Sequence, residues 1–127
     1  MRLICLAALL FVAQNAFAIN IESLQGKWNL TSHSATPFGE IKSKEGDYFE
    51  FKGALLKTNR HQRATSSQCS VKLSELICKL DSNRFEVFTI LAQSNRNIVL
   101  LSELRNEHER ISVHNTVYRL ARTESGN

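Results

Sequence analysis

The stretch Ser67–Leu80, SQCSVKLSELICKL, decides the fold that this sequence predicts. A turn at Leu73-Ser74 places Cys69 opposite Cys78, because the residue numbers of paired positions in an antiparallel hairpin always add up to the same value. Apolar and polar residues then alternate between the two faces, which is the pattern of a half-buried sheet. The stretch therefore predicts a β-hairpin closed by a disulfide between Cys69 and Cys78. The alternative is a pair of free thiols used as small core residues.

The N-terminus favours the disulfide. Met1–Ala18 combines an early positive charge at Arg2, an apolar run and the small-x-small sequence Ala16-Phe17-Ala18. This pattern predicts a secretory signal peptide that is cleaved after Ala18, and hence a periplasmic or secreted protein without a membrane span. Cys5 would be lost with the signal, which leaves an even number of cysteines in an oxidising compartment.

Residues 19–127 are enough for one domain with one core. Apolar residues alternate with polar ones in short runs between turn signals, and they do not recur at helical spacing over three turns. The predicted strands are Gly26–Ser32, Tyr48–Lys52, Leu55–Asn59, the two arms of the hairpin, Arg84–Gln93, Asn97–Leu104 and Ile111–Arg122, the last bulged near His114-Asn115. We expect an all-β fold, a single small antiparallel up-and-down barrel of about eight strands, because closing the meander removes its exposed edges.

The predicted barrel has a filled core rather than a roomy pocket, because an interior of about eight short strands holds few large side chains. The inward-facing candidates are Trp28, Leu30, Phe49, Phe51, Val71, Leu76, Phe85, Val87, Leu91, Ile98 and Leu100.

Carrying the hairpin register forward predicts an apolar patch on the outer wall. A turn at Ser82-Asn83 places Cys78 opposite Val87, and a turn at Ser94-Asn95 continues the register into the next strand. The outward positions of the three strands are then apolar: Ile77, Phe88, Ile90, Val99 and Leu101. Because an uncovered patch of this kind marks an interface, we expect it to bind a protein partner or a second copy of the chain. The alternatives are a slipped register or a covering segment from the loop 33–45.

The two ends of the predicted barrel resemble those of the lipocalin-like barrels, particularly the short bacterial ones. The resemblance rests on Gly26-Lys27-Trp28 after a short apolar lead-in and on the closing strand Val117–Arg122. In that family the tryptophan packs across the closed end against an arginine near the last strand, so the resemblance implies a pair of Trp28 with Arg119 or Arg122. It also implies that a small apolar ligand binds in the mouth of the barrel.

A second resemblance is to the small periplasmic inhibitors of secreted bacterial metalloproteases. These share the exported barrel, the Gly-x-Trp opening and a single disulfide, although their cysteines lie farther apart than Cys69 and Cys78. The resemblance implies an alternative function, the inhibition of a secreted protease through the mature N-terminus at Ile19.

No catalytic motif supports an enzyme. The four histidines, His33, His61, His108 and His114, lie in separate loops or strands, and no phosphate loop or metal-ligand spacing is present. Net charge is a mild +4, and the basic run Lys57–Arg63 has no interleaved aromatic residues. We interpret this run as a solvated loop, with a contact for an acidic partner as the alternative, and we expect no nucleic-acid binding. The sequence thus predicts a non-catalytic binding protein without a metal or a cofactor.

Overall fold

The computed structural model describes residues 19–35, 39–106 and 115–122. The predicted signal peptide lies outside these residues, so its cleavage and the export of the protein stay predictions. The elements in chain order are the helix α1 (Ile21–Leu24) and the strands β1 (Gly26–Ala35), β2 (Glu40–Lys42), β3 (Tyr48–Lys52), β4 (Leu55–Arg60), β5 (Arg63–Lys72), β6 (Glu75–Lys79), β7 (Arg84–Gln93), β8 (Asn97–Asn106) and β9 (Thr116–Arg122). No helix in the described ranges is long and apolar enough to cross a membrane.

The strands form one antiparallel sheet that closes on itself, because β1 pairs with β3 on one side and with β9 on the other. The short strand β2 pairs with the far end of β1, at Ser32–Ser34, where β3 no longer reaches. Since β2 and β3 share one position beside β1, the barrel has eight strand positions. The predicted up-and-down barrel is confirmed. The prediction of a loop at 33–45 is wrong, because β2 lies within it. The sequence does not reveal β2, since all three of its residues are exposed and show no alternation of apolar and polar positions.

The predicted hairpin is confirmed. Cys69 pairs with Cys78 across β5 and β6, and their Cα atoms are 4.0 Å apart in the disulfide. Both cysteines belong to the buried core, at 8% and 0% exposure. The turn holds Leu73 at φ 55°, a left-handed conformation that is uncommon without glycine. The free-thiol alternative is therefore wrong.

The register predicted beyond the hairpin is wrong by one residue. Cys78 pairs with Glu86 instead of Val87. The turn is one residue longer than the predicted two-residue turn, since the Leu80 amide donates to the Arg84 carbonyl at 2.9 Å. The Asp81 carboxylate holds this turn by accepting the backbone N–H groups of Asn83 (3.0 Å) and Arg84 (2.9 Å).

A slip of one residue exchanges the two faces of a strand. Phe88 and Ile90, which the sequence placed on the outer patch, are 0% and 5% exposed and belong to the core. Their outward placement is wrong. Ile77, Val99 and Leu101 remain outside and are half-buried, so an interface there stays a prediction for these three residues.

The outer wall beside these residues carries ion pairs. Arg105 Nη2 lies 2.8 Å from Glu75 Oε2 on β6 and 3.0 Å from Glu103 Oε1 on its own strand. These hydrogen bonds raise the pKa of Arg105, first through Glu75, against a smaller opposing effect of burial. The register places Val87 between Ile77 and Glu103, so the ion pairs reach across it, and Val87 is 2% exposed although it faces outward.

Apolar side chains fill most of the interior. The predicted inward positions are confirmed for Trp28, Leu30, Phe49, Phe51, Leu76, Ile98 and Leu100, and the core also contains Leu24, Leu56, Phe88, Ile90, Tyr118 and Leu120. Three predicted inward residues are wrong: Leu91 is exposed, and Phe85 and Val87 lie on the outer face. Val71 shares the inner side with its partner Leu76, but it is 38% exposed. Leu91 is the extra residue of a bulge between Ile90 and Ala92, which changes the phase of β7.

Candidate functional site

One end of the barrel is closed by α1. Asn20 caps this helix, since its side chain accepts the backbone N–H of Glu22 at 3.0 Å. Leu24 is fully buried, and Trp28 Nε1 donates to the Leu24 carbonyl at 2.8 Å. Ile19 also packs against the core, so the helix and its lead-in form a lid over this end.

Arg122 joins the lid to the last strand. Its guanidinium lies 3.8 Å from the centre of the Trp28 ring and donates to the carbonyls of Ser23 (3.0 Å) and Gln25. Gly26 has a φ of 105°, a conformation that residues with a side chain rarely adopt, and a Cβ there would lie 3.1 Å from Arg122 Nη1. The backbone conformation and the close approach therefore both favour glycine. Of the two arginines that the resemblance offered for Trp28, the structure places Arg122 on the ring. Arg119 lies on the outer wall.

The other end of the barrel is open. A cavity of about 370 Å³ lies in its mouth. The residues that line it are mostly polar: Arg60, His61, Arg63, Thr65, Glu86, Ser102, Leu104, Thr116 and Tyr118. A pocket of this size is at the small end of the range of ligand sites.

The floor of the cavity is a buried ion pair. Arg60 Nη1 donates to Glu86 Oε2 at 2.9 Å, Arg60 Nη2 donates to Oε1, and the Ser102 hydroxyl donates to Oε2 at 2.6 Å. The side chains of Arg60 and Glu86 are only 11% and 7% exposed. Both oxygens of the carboxylate are therefore occupied within the protein.

Aromatic rings support the Arg60 guanidinium from below. Its central carbon lies 4.9 Å from the centre of the Phe49 ring, 5.0 Å from that of Tyr118 and 5.8 Å from that of Phe88. Burial alone would lower the pKa of Arg60, but the charge and hydrogen bonds of Glu86 outweigh it and raise that pKa. Arg60 thus stays charged and separates the apolar core from the mouth.

The rim of the mouth includes the turn between β4 and β5. His61 and Gln62 have φ values of 52° and 62°, which is the conformation of a tight two-residue hairpin turn. His61 Nε2 lies 3.1 Å from the Tyr118 hydroxyl, and its ring meets that of His33 edge-on at 4.9 Å. Burial, together with His33 and Arg60, lowers the pKa of His61, and burial raises the pKa of Tyr118.

A second cavity of about 230 Å³ adjoins the first at His61, which lines both. Its remaining residues come from the end of β1, from β2 and from the turns: His33, Ile41, Lys42, Ser43, Lys44, Asp47 and Gln62. In the described ranges, no group of three or more His, Cys, Asp or Glu side chains is arranged to hold a metal ion. His108 and His114 lie outside the described residues.

The sequence did not reveal the floor of this site. The basic run Lys57–Arg63 predicts a solvated loop, but its first four residues belong to β4 and only 11% of the Arg60 side chain is exposed. The signal that could have found it is the alternation of Leu56, Thr58 and Arg60, since all three lie on the inner side of β4. The predicted register places Phe85 and Val87 inward, and it therefore places Glu86 between them on the outer face.

No protein-family model matches the sequence, and no curated protein matches it. Among solved structures, the chain is similar to the bovine odorant-binding protein in its deswapped triple mutant, with a TM-score of 0.51 and 14% identity over 80% of this chain and 75% of that chain. It is also similar to the odorant-binding protein from bovine nasal mucosa, with a TM-score of 0.49 and 15% identity over 84% and 75% of the two chains. The fold is lipocalin-like, as the sequence predicted, and the likeness concerns the fold alone.

Proposed function

We propose that this protein is an exported, non-catalytic binding protein that takes a small ligand into the open mouth of its barrel. The observation that supports this most is the cavity of about 370 Å³ above a filled core. The similar bovine proteins are named as binding odorants, which is in keeping with a small ligand.

The contacts in the cavity support a binding role. Ser102 donates its hydroxyl hydrogen to Glu86, and Arg60 neutralises that carboxylate at close range. Both oxygens of this carboxylate are therefore engaged by neighbouring side chains of the protein. The polar side chains of the floor form hydrogen bonds with one another, which favours a rigid binding surface over a catalytic site.

The depth of the site argues against a long apolar ligand. Leu56, Phe88 and Ile98 are at most 1% exposed and fill the barrel below Arg60. A ligand would therefore lie on the polar floor and be covered only in part. The resemblance to lipocalins implies a small apolar ligand in the mouth, whereas the floor of this mouth is polar.

The test compares two adjacent positions of β5. Thr65 faces the cavity, where its hydroxyl lies 2.6 Å from that of Thr58, whereas Ser66 is exposed on the outer face. We expect hexanol, hexanamide or hexanoate to shift the amide NMR signals of cavity residues. Thr65→Trp should weaken that binding at least tenfold by filling the mouth, and Ser66→Trp should leave it unchanged. Trp28 is too deeply buried at the far end to report binding by fluorescence.

The result that would contradict the proposal is a cavity whose signals respond to none of the three probes, or binding that Thr65→Trp leaves intact. Protease inhibition through the N-terminus stays a prediction. It has less support, because Ile19 and Ile21 pack against the core and would have to leave the barrel first.

A further inference from the structure

The mouth of the barrel contains a positive charge that the described residues do not neutralise. Arg60 and Glu86 cancel each other. Arg63 lines the same cavity on the neighbouring strand, and its guanidinium makes no ion pair or hydrogen bond with any residue in the described ranges. Burial keeps the pKa of His61 low, so this ring is mainly neutral at pH 7 and adds little charge.

The cavity offers hydrogen-bond donors more than acceptors. The acceptor oxygens of Glu86 are held by Arg60 and Ser102. Arg63 presents up to five N–H donors in a planar fork and has no acceptor. A planar fork of this kind matches the two oxygens of a carboxylate.

The wall next to the charge is apolar in part. Leu104 and the Tyr118 ring line the cavity together with Arg63. The neighbouring cavity adds Lys42 and Lys44 against the single carboxylate of Asp47, which makes the open end more positive. One unpaired cation beside a short apolar wall is suited to a ligand with one negative group and a small apolar body.

We infer that the ligand of the mouth is a small organic carboxylate, with its carboxylate bound by Arg63 and its apolar part against Leu104 and Tyr118. This inference rests on the proposed function and specifies the ligand class.

The experiment measures dissociation constants by NMR titration for three matched probes: hexanoate, hexanamide and hexylamine. Hexanoate should bind at least tenfold more tightly than hexanamide, and hexylamine most weakly. Arg63→Gln should weaken hexanoate about tenfold, to the level of hexanamide, because it removes only the charge-assisted bonds. Lys72→Gln removes the same charge from an exposed site at the closed end, and it should leave the dissociation constants of hexanoate and hexanamide unchanged.

Three results would overturn the inference: equal binding of hexanoate and hexanamide, no effect of Arg63→Gln on hexanoate, or no binding of hexanoate. Hexyl phosphate tests whether the site prefers a phosphate to a carboxylate. If hexyl phosphate binds more tightly than hexanoate, the ligand class is a phosphate and the inference is wrong. If hexanamide binds as tightly as hexanoate and Thr65→Trp abolishes both, the mouth remains a binding site and only its ligand class is wrong. Because Arg63 is exposed, an unchanged unfolding midpoint in Arg63→Gln shows that the fold is intact.

Discussion

Both ends of the barrel place an arginine on aromatic rings, but they give it different partners. At the closed end, Arg122 lies 3.8 Å from the centre of the Trp28 ring and donates to two backbone carbonyls. At the open end, Arg60 lies above Phe49 and donates to the carboxylate of Glu86. The first set of partners is neutral, and the second carries a full charge.

The pKa of each arginine reflects this difference. Burial lowers the pKa of Arg122, because carbonyl dipoles only partly replace the water it loses. At Arg60 burial acts in the same direction, but the negative charge of Glu86 outweighs it and raises the pKa. A covered end can be held by neutral hydrogen bonds, whereas a more deeply buried cation at an open end needs a counter-charge. The closed end is thus a structural joint, and the open end keeps a polar surface around its cavity.

The largest effect should come from breaking the ion pair of the open end. Glu86→Leu leaves the Arg60 guanidinium buried and unpaired, which should lower the free energy of unfolding by about 3 to 5 kcal/mol. The double variant Arg60→Met, Glu86→Leu should regain at least half of that loss, because it removes both charges. Urea unfolding curves measure both values. A single variant that loses less than about 1 kcal/mol would show that water already reaches the pair.

A smaller effect should follow at the closed end. Arg122→Met removes the contact with Trp28 and the hydrogen bonds to Ser23 and Gln25, and it should cost about 2 kcal/mol of unfolding free energy. Arg119→Met is the matched control on the same strand. Arg119 pairs with Glu40 on the outer wall at 3.0 Å, with side chains 43% and 56% exposed, so its loss should cost less than about 0.5 kcal/mol. Equal losses of unfolding free energy in the two variants would show that Arg122 does not stabilise the closed end more than a surface arginine does.

The smallest expected effect is a pH dependence of the free energy of unfolding that arises at the open end. Both histidines of the described ranges, His33 and His61, lie at the open end. The pKa of His61 is lower in the folded protein than in the unfolded chain, so the unfolded chain binds the proton more readily. The contribution of His61 to the free energy of unfolding is therefore complete above about pH 6.5, the ordinary pKa of histidine. It is lost as the pH falls from there toward the lower pKa of the folded protein.

Because His61 is largely exposed, this loss should be below about 0.5 kcal/mol. Asn tolerates the left-handed conformation of this turn, so His61→Asn should flatten the slope of unfolding free energy between pH 5 and 7 without unfolding the protein. An unchanged slope in this variant would assign the dependence to another group.

The hairpin could be predicted from the sequence because two independent signals agree in it. Alternation assigns the faces, and the facing cysteines fix one register, so Cys69 and Cys78 meet as expected. The next strand has no such second signal. Its register depends on the Asp81 carboxylate, which lengthens the turn by one residue, and this moves Phe88 from the predicted outer wall into the core.

The candidate site was missed for a related reason. Charged residues are seldom buried unless they are paired, so Arg60 and Glu86 each suggest a surface position on their own. They occupy the interior because the barrel brings Arg60 on β4 and Glu86 on β7, 26 residues apart in the sequence, into contact on the floor of one cavity. A sequence shows the alternation of each strand but not which charge faces which across a barrel.

The topology of the barrel has a consequence for the order of folding. Most strand pairings join segments that are close along the chain, but the closure of β1 on β9 joins residues far apart, as shown by the Thr31 hydroxyl that donates to the Arg119 carbonyl 88 residues away. Closing so long a loop has the largest entropic cost, so we expect an open sheet to precede the barrel. Arg122 reaches carbonyls 97 and 99 residues away and can act only after closure. Its loss should therefore speed unfolding and leave the refolding rate unchanged in stopped-flow measurements, so that Arg122 governs how long the barrel stays closed and not how fast it forms.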